Sequence, residues 1–229
     1  MTSDRVKQIQ GRISSICKKL RRSPKDITVI GVTKFASIEK IKEAIEAGIT
    51  HIAENKVQEA QKKFPELKAV YPGLICHMIG HLQTNKVKDV LEVCDIIQSV
   101  DSLKLAKEIE KQAQKLQREI DTLVQVKTSG EEQKFGADPK EALKFIGQVS
   151  NLRGIRVVGL MTMAPFTEDK DVVRGCFRQL REIYEKAEVQ FEDSPNVVMK
   201  YLSMGMTDDY DIAIEEGSNM VRIGRAIFQ

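Results

Sequence analysis

The amino-acid sequence predicts an α/β fold in which eight parallel strands, each followed by a helix, close into a single (β/α)8 TIM barrel with an extra N-terminal helix. About eight apolar, strand-like segments alternate with helical segments along the 229 residues, and strands separated by helices form parallel sheets. This length is close to the usual minimum for eight β/α units. A doubly wound open sheet is the competitor, but the sequence has neither a GxGxxG after the first strand nor a Walker-type loop, so a nucleotide-binding sheet has no support.

The first half of the chain follows this alternation after an amphipathic N-terminal helix. Ser37 is a suitable N-cap for the helix after the first strand, and Gly48 suits the C-terminal end of that helix. Pro65 is expected to interrupt or restart the next helix. Helices are predicted over residues 1–20, 37–48, 56–71, 84–94 and 102–120, and strands over residues 27–35, 50–55, 73–80 and 95–101.

The second half of the chain repeats the pattern. Asp138 is expected to cap its helix, with Pro139 at the first helical position, and the helix at 102–120 is expected to be the longest. No linker or repeat divides the chain, so residues 1–229 are expected to form a single domain. Strands are predicted over residues 121–127, 155–163, 198–205 and 219–224, and helices over 138–149, 170–187 and 207–217.

Composition limits the classes of function. A net charge of +3 is too small to indicate a nucleic-acid or membrane surface. The N-terminal segment is a charged amphipathic helix rather than a signal peptide, and no apolar run reaches the length of a membrane span. The four cysteines form no CxxC pair, which argues against a zinc site or a disulfide framework. We therefore expect a cytoplasmic protein with reduced thiols that binds neither nucleic acid nor membrane.

The first predicted strand, residues 27–35, ends in a lysine. Strand alternation places Ile30, Val32 and Lys34 on one face. An ammonium group at the end of so apolar a strand either pairs with an anion or has its pKa lowered by desolvation, and a lowered pKa makes the amine nucleophilic. The alternative is that Lys34 lies just past the sheet edge and reaches into water.

Barrel closure places the last strand beside the first, and functional groups lie where strands end. Arg222 is therefore expected near Lys34 at the barrel mouth, where two cations depress the lysine pKa and attract an anion. The loops after strands seven and eight, where such barrels bind phosphate, supply Ser203, Gly205 and Gly224. The alternative for each glycine is that it only makes a tight turn. Together these residues suggest an aldehyde phosphate bound to Lys34 as a Schiff base.

Several sequence segments resemble one family over essentially the whole chain. The matching segments are VTKF, AENKVQE, HMIGHLQTNK, TSGEEQKFG, GLMTM and SMGMTDDYDIAIEEGSNMVRIGRAIF. The last segment is long and specific. The chain is similar to the YggS/PROSC-type pyridoxal phosphate homeostasis proteins, whose barrel resembles the N-terminal domain of alanine racemase.

The resemblance implies that pyridoxal 5'-phosphate is the cofactor and that Lys34 holds it covalently. It also implies that Arg222 faces the pyridine nitrogen and that Asn55 lies beside the ring. Several positions depart from the family pattern. Phe35 and Ala36 stand where a second lysine and a proline are usual. Lys56 stands where an aromatic residue is usual, which alters the surroundings of the ring.

The same resemblance assigns the cofactor phosphate to the last two loops. Ser203 and the backbone around Gly224 and Arg225 would hold it, and the charge pattern places it over Gly205 and Gly224. Arg225 stands where the family usually has a small threonine or serine. The change is tolerable if only the N–H group is used, and the guanidinium adds affinity for phosphate.

Three functions remain open at this point. The first is a monomeric, non-catalytic protein for pyridoxal phosphate homeostasis, which stores the cofactor or hands it to apo-enzymes that accept it. The second is a racemase- or decarboxylase-like enzyme that uses the same cofactor. The absence of the second β domain that completes barrel-type racemases favours the first. The third is a class I aldolase-like barrel whose lysine reacts with a sugar phosphate.

Metal binding is not expected. If residues 73–80 form a strand, His77 and His81 lie about 13 Å apart along it and cannot share one ion. His81 is expected to line the barrel mouth and His77 to lie in or near the core. His51 is isolated in the sequence and is interpreted as structural.

Several charged stretches are assigned to solvated surface. Lys62 and Lys63 form one of them. Glu131, Glu132 and Lys134 lie in a loop that either covers the mouth or carries ordinary exposed charge.

Overall fold

The computed structural model describes residues 1–130 and 135–229 and shows a closed barrel of eight parallel strands. Each strand pairs with the next, and the eighth pairs with the first, so that Ile30 lies opposite Arg222. This confirms the predicted fold class. The strands are β1 Thr28–Val32, β2 His51–Glu54, β3 Ile75–Met78, β4 Ile96–Val100, β5 Ile120–Gln125, β6 Ile155–Met161, β7 Val197–Ser203 and β8 Met220–Ile223.

Helices surround the barrel, as the apolar periodicity predicts. Ser37 caps α2 by accepting a hydrogen bond from the backbone N–H of Lys40, so the predicted start of this helix is confirmed. The helices are α1 Thr2–Leu20, α2 Ile38–Glu46, α3 Val57–Val70, α4 Val87–Val93, α5 Leu103–Leu116, α6 Ala142–Ser150, α7 Lys170–Gln190, α8 Tyr210–Glu215 and α9 Arg225–Phe228. The predicted roles of Glu131, Glu132 and Lys134 lie outside the described residues.

Helix α3 runs through Pro65 without a break, contrary to expectation. A proline inside a helix costs about 3 kcal/mol because it removes one hydrogen bond and crowds the preceding turn. Pro65 lies on the exposed face, whereas Phe64 and Leu67 on either side of it are fully buried. Burial of two large apolar side chains stabilises the helix by about 3–6 kcal/mol, enough to offset the proline.

Two other predicted boundaries were wrong. Helix α5 ends at Leu116 because Gln117 adopts a left-handed conformation with φ of 49°. The longest helix among the described elements is therefore α7, with 21 residues. Helix α6 begins at Ala142, because Asp138 caps a separate turn by accepting a hydrogen bond from the N–H of Lys140 at 2.8 Å.

The core has two layers separated by the barrel wall. The larger layer lies between the outer faces of the strands and the helices. The smaller layer fills the barrel lumen and consists of Ile30, Ala53, Ile96, Leu123, Val158, Met161, Tyr201 and Met220. This arrangement follows from alternation along each strand, which sends successive side chains to opposite faces.

The structure places the cysteines in the protein interior. All four cysteines are buried as thiols rather than joined in disulfides, and burial raises the pKa of Cys76 to about 12, which makes it an unreactive thiol. Across residues 1–130 and 135–229, no helix has the length and apolarity needed to cross a bilayer.

Candidate functional site

A cavity of about 290 Å³ opens at the C-terminal ends of the strands. Five of the seven predicted cofactor contacts line it, namely Lys34, Asn55, Arg222, Gly224 and Arg225. The other two, Ser203 and Gly205, are buried beyond this lining. The barrel thus gathers residues from its first, second and last β/α units at one mouth, where such barrels place their sites.

Lys34 lies two residues beyond the end of β1, in a tight turn rather than in the strand. The turn is closed by a hydrogen bond from the N–H of Ala36 to the carbonyl of Thr33 at 3.0 Å. Phe35 occupies the position that needs a positive φ, and its φ is 65°. The lysine side chain is exposed, as the alternative interpretation expected, yet it forms part of the cavity wall.

A buried ion pair lies beneath this turn. The Nζ of Lys63 is 2.7 Å from Oε1 of Glu54 and donates to the carbonyl of Thr33 at 3.0 Å. The hydroxyl of Thr33 donates to the same Glu54 oxygen at 2.7 Å. The Glu54 side chain is fully buried and that of Lys63 is 10% exposed. The prediction of Lys63 as solvated surface was therefore wrong: this lysine anchors the residue before Lys34.

Arg222 forms the cationic floor of the cavity and is only 3% exposed. Its guanidinium donates to the hydroxyl of Ser203 and to the carbonyl of Thr162, both at 2.7 Å. Burial lowers the pKa of Arg222 to about 10, and Asp209 nearby opposes the shift. The group is therefore still charged at neutral pH. Since Arg222 pairs with Ile30, it lies deeper than Lys34 rather than beside it.

Gly224 and Arg225 form the rim where the chain turns into α9. A Cβ atom at Gly224 would approach Val32 no closer than 3.4 Å, so packing within the protein does not require a glycine here. The glycine leaves room for a ligand at the cavity edge. The Arg225 guanidinium pairs with Asp208, and both side chains are more than half exposed, which makes this a weak pair that a stronger anion can displace.

Ser203 and Gly205 both accept hydrogen bonds from Arg222 in this structure. Ser203 is fully buried, accepts a hydrogen bond from Arg222 and donates to Oε1 of Gln98 at 2.7 Å. Gly205 has a φ of 97°, and a Cβ there would lie 2.5 Å from that of Ala213. Its carbonyl accepts from the N–H of Arg222 at 2.9 Å. The phosphate contacts predicted for these two residues stay predictions.

Asn55 follows β2 and is positioned by Gly80 in the loop after β3. A Cβ atom at Gly80 would lie only 2.1 Å from the Asn55 carbonyl oxygen. We expect Gly80→Ala to reduce the free energy of unfolding by about 1–3 kcal/mol, because the loop must move to relieve the clash. Chemical denaturation measures this. The control is Gly73→Ala, where a Cβ meets open space, and an equal loss in both variants would contradict the explanation.

His81 adds a titratable group to the cavity wall, as predicted for the barrel mouth. Its Nδ1 atom is 3.1 Å from Oδ2 of Asp101, and its ring stacks on Phe135 with centroids 3.6 Å apart. The Asp101 contact was not predicted, because it joins loops after two different strands. The pair gives the cavity that Lys34 also lines a hydrogen-bonded imidazole.

The three histidines of the chain lie in two places, with His81 on the cavity wall and His51 beside His77 inside the barrel. Across the described ranges, no group of three or more potential ligands comes together. His51 is not isolated, however: its Nδ1 lies 2.9 Å from Nε2 of His77 inside the barrel. The sequence separation of 26 residues concealed this contact, which depends on the pairing of β2 with β3.

Comparison with known proteins agrees with this geometry. The family model described as the alanine racemase N-terminal domain matches residues 7–229. A pyridoxal phosphate homeostasis protein of Aquifex aeolicus is 37% identical over 225 residues, which cover 98% of this chain and 96% of that protein. The chain belongs to the family of pyridoxal phosphate homeostasis proteins.

Solved structures extend the comparison. PipY of Synechococcus elongatus, in its form with PLP bound, superposes with a TM-score of 0.81 at 33% identity. The match covers 95% of this chain and all of PipY. Alanine racemase of Clostridium difficile gives a TM-score of 0.77 at 16% identity, with this chain covering 56% of that one. The racemase likeness shows the shared barrel fold alone.

Proposed function

We propose that this protein binds pyridoxal 5'-phosphate in the mouth cavity and serves the homeostasis of that cofactor inside the cell, without robust catalysis. The observation that carries the proposal is the convergence of Lys34, Arg222 and Gly224 on one cavity. The family relationship and the PLP-bound PipY structure support it.

The residues present fit this cofactor. The cavity presents the cations Lys34, Arg222 and Arg225 against the single carboxylate Asp208 among its lining residues, so it favours an anionic ligand. Gly224 leaves space at the rim that a side chain would fill. When bound, pyridoxal phosphate supplies an aldehyde that an amine attacks and a ring that withdraws electrons.

Five of the lining residues have a proposed role. Lys34 provides the amine for a Schiff-base link to the aldehyde. Arg222 faces the pyridine nitrogen and, being cationic, opposes its protonation. The backbone at Gly224 and Arg225 holds the phosphate, with the Arg225 guanidinium released from Asp208 to assist. Asn55 contacts the side of the ring.

The exposure of the site to solvent supports the function of a cofactor carrier over that of a catalyst. Lys34 and Asn55 are exposed, so water and an incoming acceptor reach the cofactor link directly, whereas catalysis gains from excluding water. Transfer to cofactor-accepting apo-enzymes, a monomeric state and a cytoplasmic location remain part of the proposal.

One observation favours an enzyme as the second candidate. His81 with its Asp101 partner has the arrangement of a general base on the cavity wall. A racemase- or decarboxylase-like activity would use it to move a proton of a bound amino acid. Steady turnover of an amino acid by the isolated protein would replace the carrier proposal with this one.

The test is the absorbance spectrum of the purified protein, before and after borohydride, with the modified peptide identified by mass spectrometry. We expect a yellow protein whose visible band disappears on reduction, with the added mass on Lys34. A protein that stays colourless after addition of pyridoxal phosphate would contradict the proposal and favour the aldolase-like alternative.

A further inference from the structure

The barrel lumen contains a column of polar side chains where such barrels usually pack branched apolar residues. Five residues form it, and all point inward by strand alternation: His51 on β2, His77 on β3, Gln98 on β4, Ser203 on β7 and Arg222 on β8. His77, Gln98 and Ser203 are fully buried. Buried polar groups are costly unless each is hydrogen-bonded.

The column is continuously hydrogen-bonded. Arg222 donates to Ser203 at 2.7 Å, and Ser203 donates to Oε1 of Gln98 at 2.7 Å. Nε2 of Gln98 lies 3.0 Å from Nδ1 of His77, and Nε2 of His77 lies 2.9 Å from Nδ1 of His51. The chain thus runs from the cavity floor to the start of β2, where His51 borders a second cavity at the opposite end of the barrel.

Arg222 fixes the direction of this chain because a guanidinium is a donor only. Ser203 must accept from it and therefore turns its own hydrogen to the Gln98 carbonyl oxygen. The Gln98 amide then directs its two N–H groups at Nδ1 of His77 and at the Met220 sulfur, 3.4 Å away. A flipped amide would place two donors on Ser203 and an oxygen against sulfur.

The same logic assigns both imidazoles. His77 accepts at Nδ1, so its proton lies on Nε2, where it donates to Nδ1 of His51. Both rings must be neutral for this order. Burial holds the pKa of His77 well below its usual value. Burial, assisted by Lys200, lowers the pKa of His51 to about 4.

We propose that Ser203, Gln98 and His77 are positioning residues that hold the Arg222 guanidinium in one orientation at the floor of the mouth cavity. This inference rests on the proposed function, since Arg222 faces the pyridine nitrogen there. Its consequence is that the electronic state of the bound cofactor depends on residues that line no part of its cavity. In this structure the hydroxyl of Ser203 accepts from Arg222 and donates to Gln98.

The first experiment needs no cofactor and no variant. Nitrogen-15 NMR of the histidine side chains at neutral pH should show His77 neutral, with its proton on Nε2. A proton on Nδ1 of His77, or a charged ring, would overturn the direction derived for the chain.

The second experiment breaks two neighbouring links. In Gln98→Met and in Ser203→Ala we expect the visible band of bound pyridoxal phosphate to shift in the same direction and its dissociation constant to rise about tenfold. In the double variant, the band shift and the rise in dissociation constant should be no larger than in either single variant, because both substitutions act through Arg222. Ser99→Ala is the control. Ser99 is buried next to Gln98 on β4, and its hydroxyl has no hydrogen-bond partner in the described structure.

The outcomes of these experiments distinguish the positioning role from the proposed function. An unchanged band and affinity in folded Gln98→Met would overturn the positioning role, as would additive effects in the double variant. A wild-type protein that binds no pyridoxal phosphate would overturn the proposed function and the positioning role with it. The NMR result would still decide the direction of the chain.

Discussion

Replacing Lys34 with alanine is expected to abolish covalent retention of pyridoxal phosphate. The exposed amine of Lys34 lies on the cavity wall two residues beyond β1, and no other lysine lines that cavity among the described residues. Without this amine, the described lining offers no second lysine to form the covalent link, and only reversible binding through Arg222 and the Gly224 rim remains. Mass spectrometry after borohydride treatment should show the adduct at background level.

The matched control is Lys56→Ala. Lys56 is exposed and follows Asn55, yet it lies outside the cavity lining, so its removal should leave the adduct at the wild-type level. Both variants should have wild-type stability, because neither lysine side chain is buried. An adduct that persists in Lys34→Ala, or that is lost equally in Lys56→Ala, would show that another group holds the cofactor.

Local sequence signals predicted the fold because each strand of a parallel barrel is buried on both sides. The strands therefore appear as short apolar runs between amphipathic helices. Predicted helix boundaries were wrong where the same residue type is compatible with two local structures. Asp138 caps a turn rather than α6, and Pro65 lies on the exposed face of a well-packed helix. Neither packing nor the choice between two caps is visible in a window of a few residues.

The site was predictable to the extent that its residues end strands or follow a family pattern. Lys34, Asn55 and Arg222 line one cavity, and their contacts with the cofactor stay predictions. What the sequence could not show are contacts that depend on strand order and register, such as Gln98 with Ser203, which are 105 residues apart. A buried lysine beside an exposed one, as at Lys63 and Lys62, has the same appearance in sequence as a solvated pair.

The ion pair beneath the Lys34 turn gives the largest expected effect on stability. Lys63→Met should lower the free energy of unfolding by about 3–5 kcal/mol, because it leaves the fully buried carboxylate of Glu54 without its cation. Thr33 would also lose the hydrogen bond that Lys63 donates to its carbonyl. Chemical denaturation measures the loss. Lys62→Met is the control, since the Lys62 side chain is 72% exposed and its removal should change stability by less than about 0.5 kcal/mol.

A double-mutant cycle separates the charge from the packing. Glu54→Leu combined with Lys63→Met removes both charges, and the Thr33 hydroxyl then turns its hydrogen to the Ala53 carbonyl, 3.1 Å away. We therefore expect the double variant to recover most of the stability lost in Lys63→Met, as buried pairs replaced by apolar residues usually do. If the double variant instead loses the sum of the two single effects, the two side chains are not coupled. The ion pair would then not be what anchors the turn that carries Lys34.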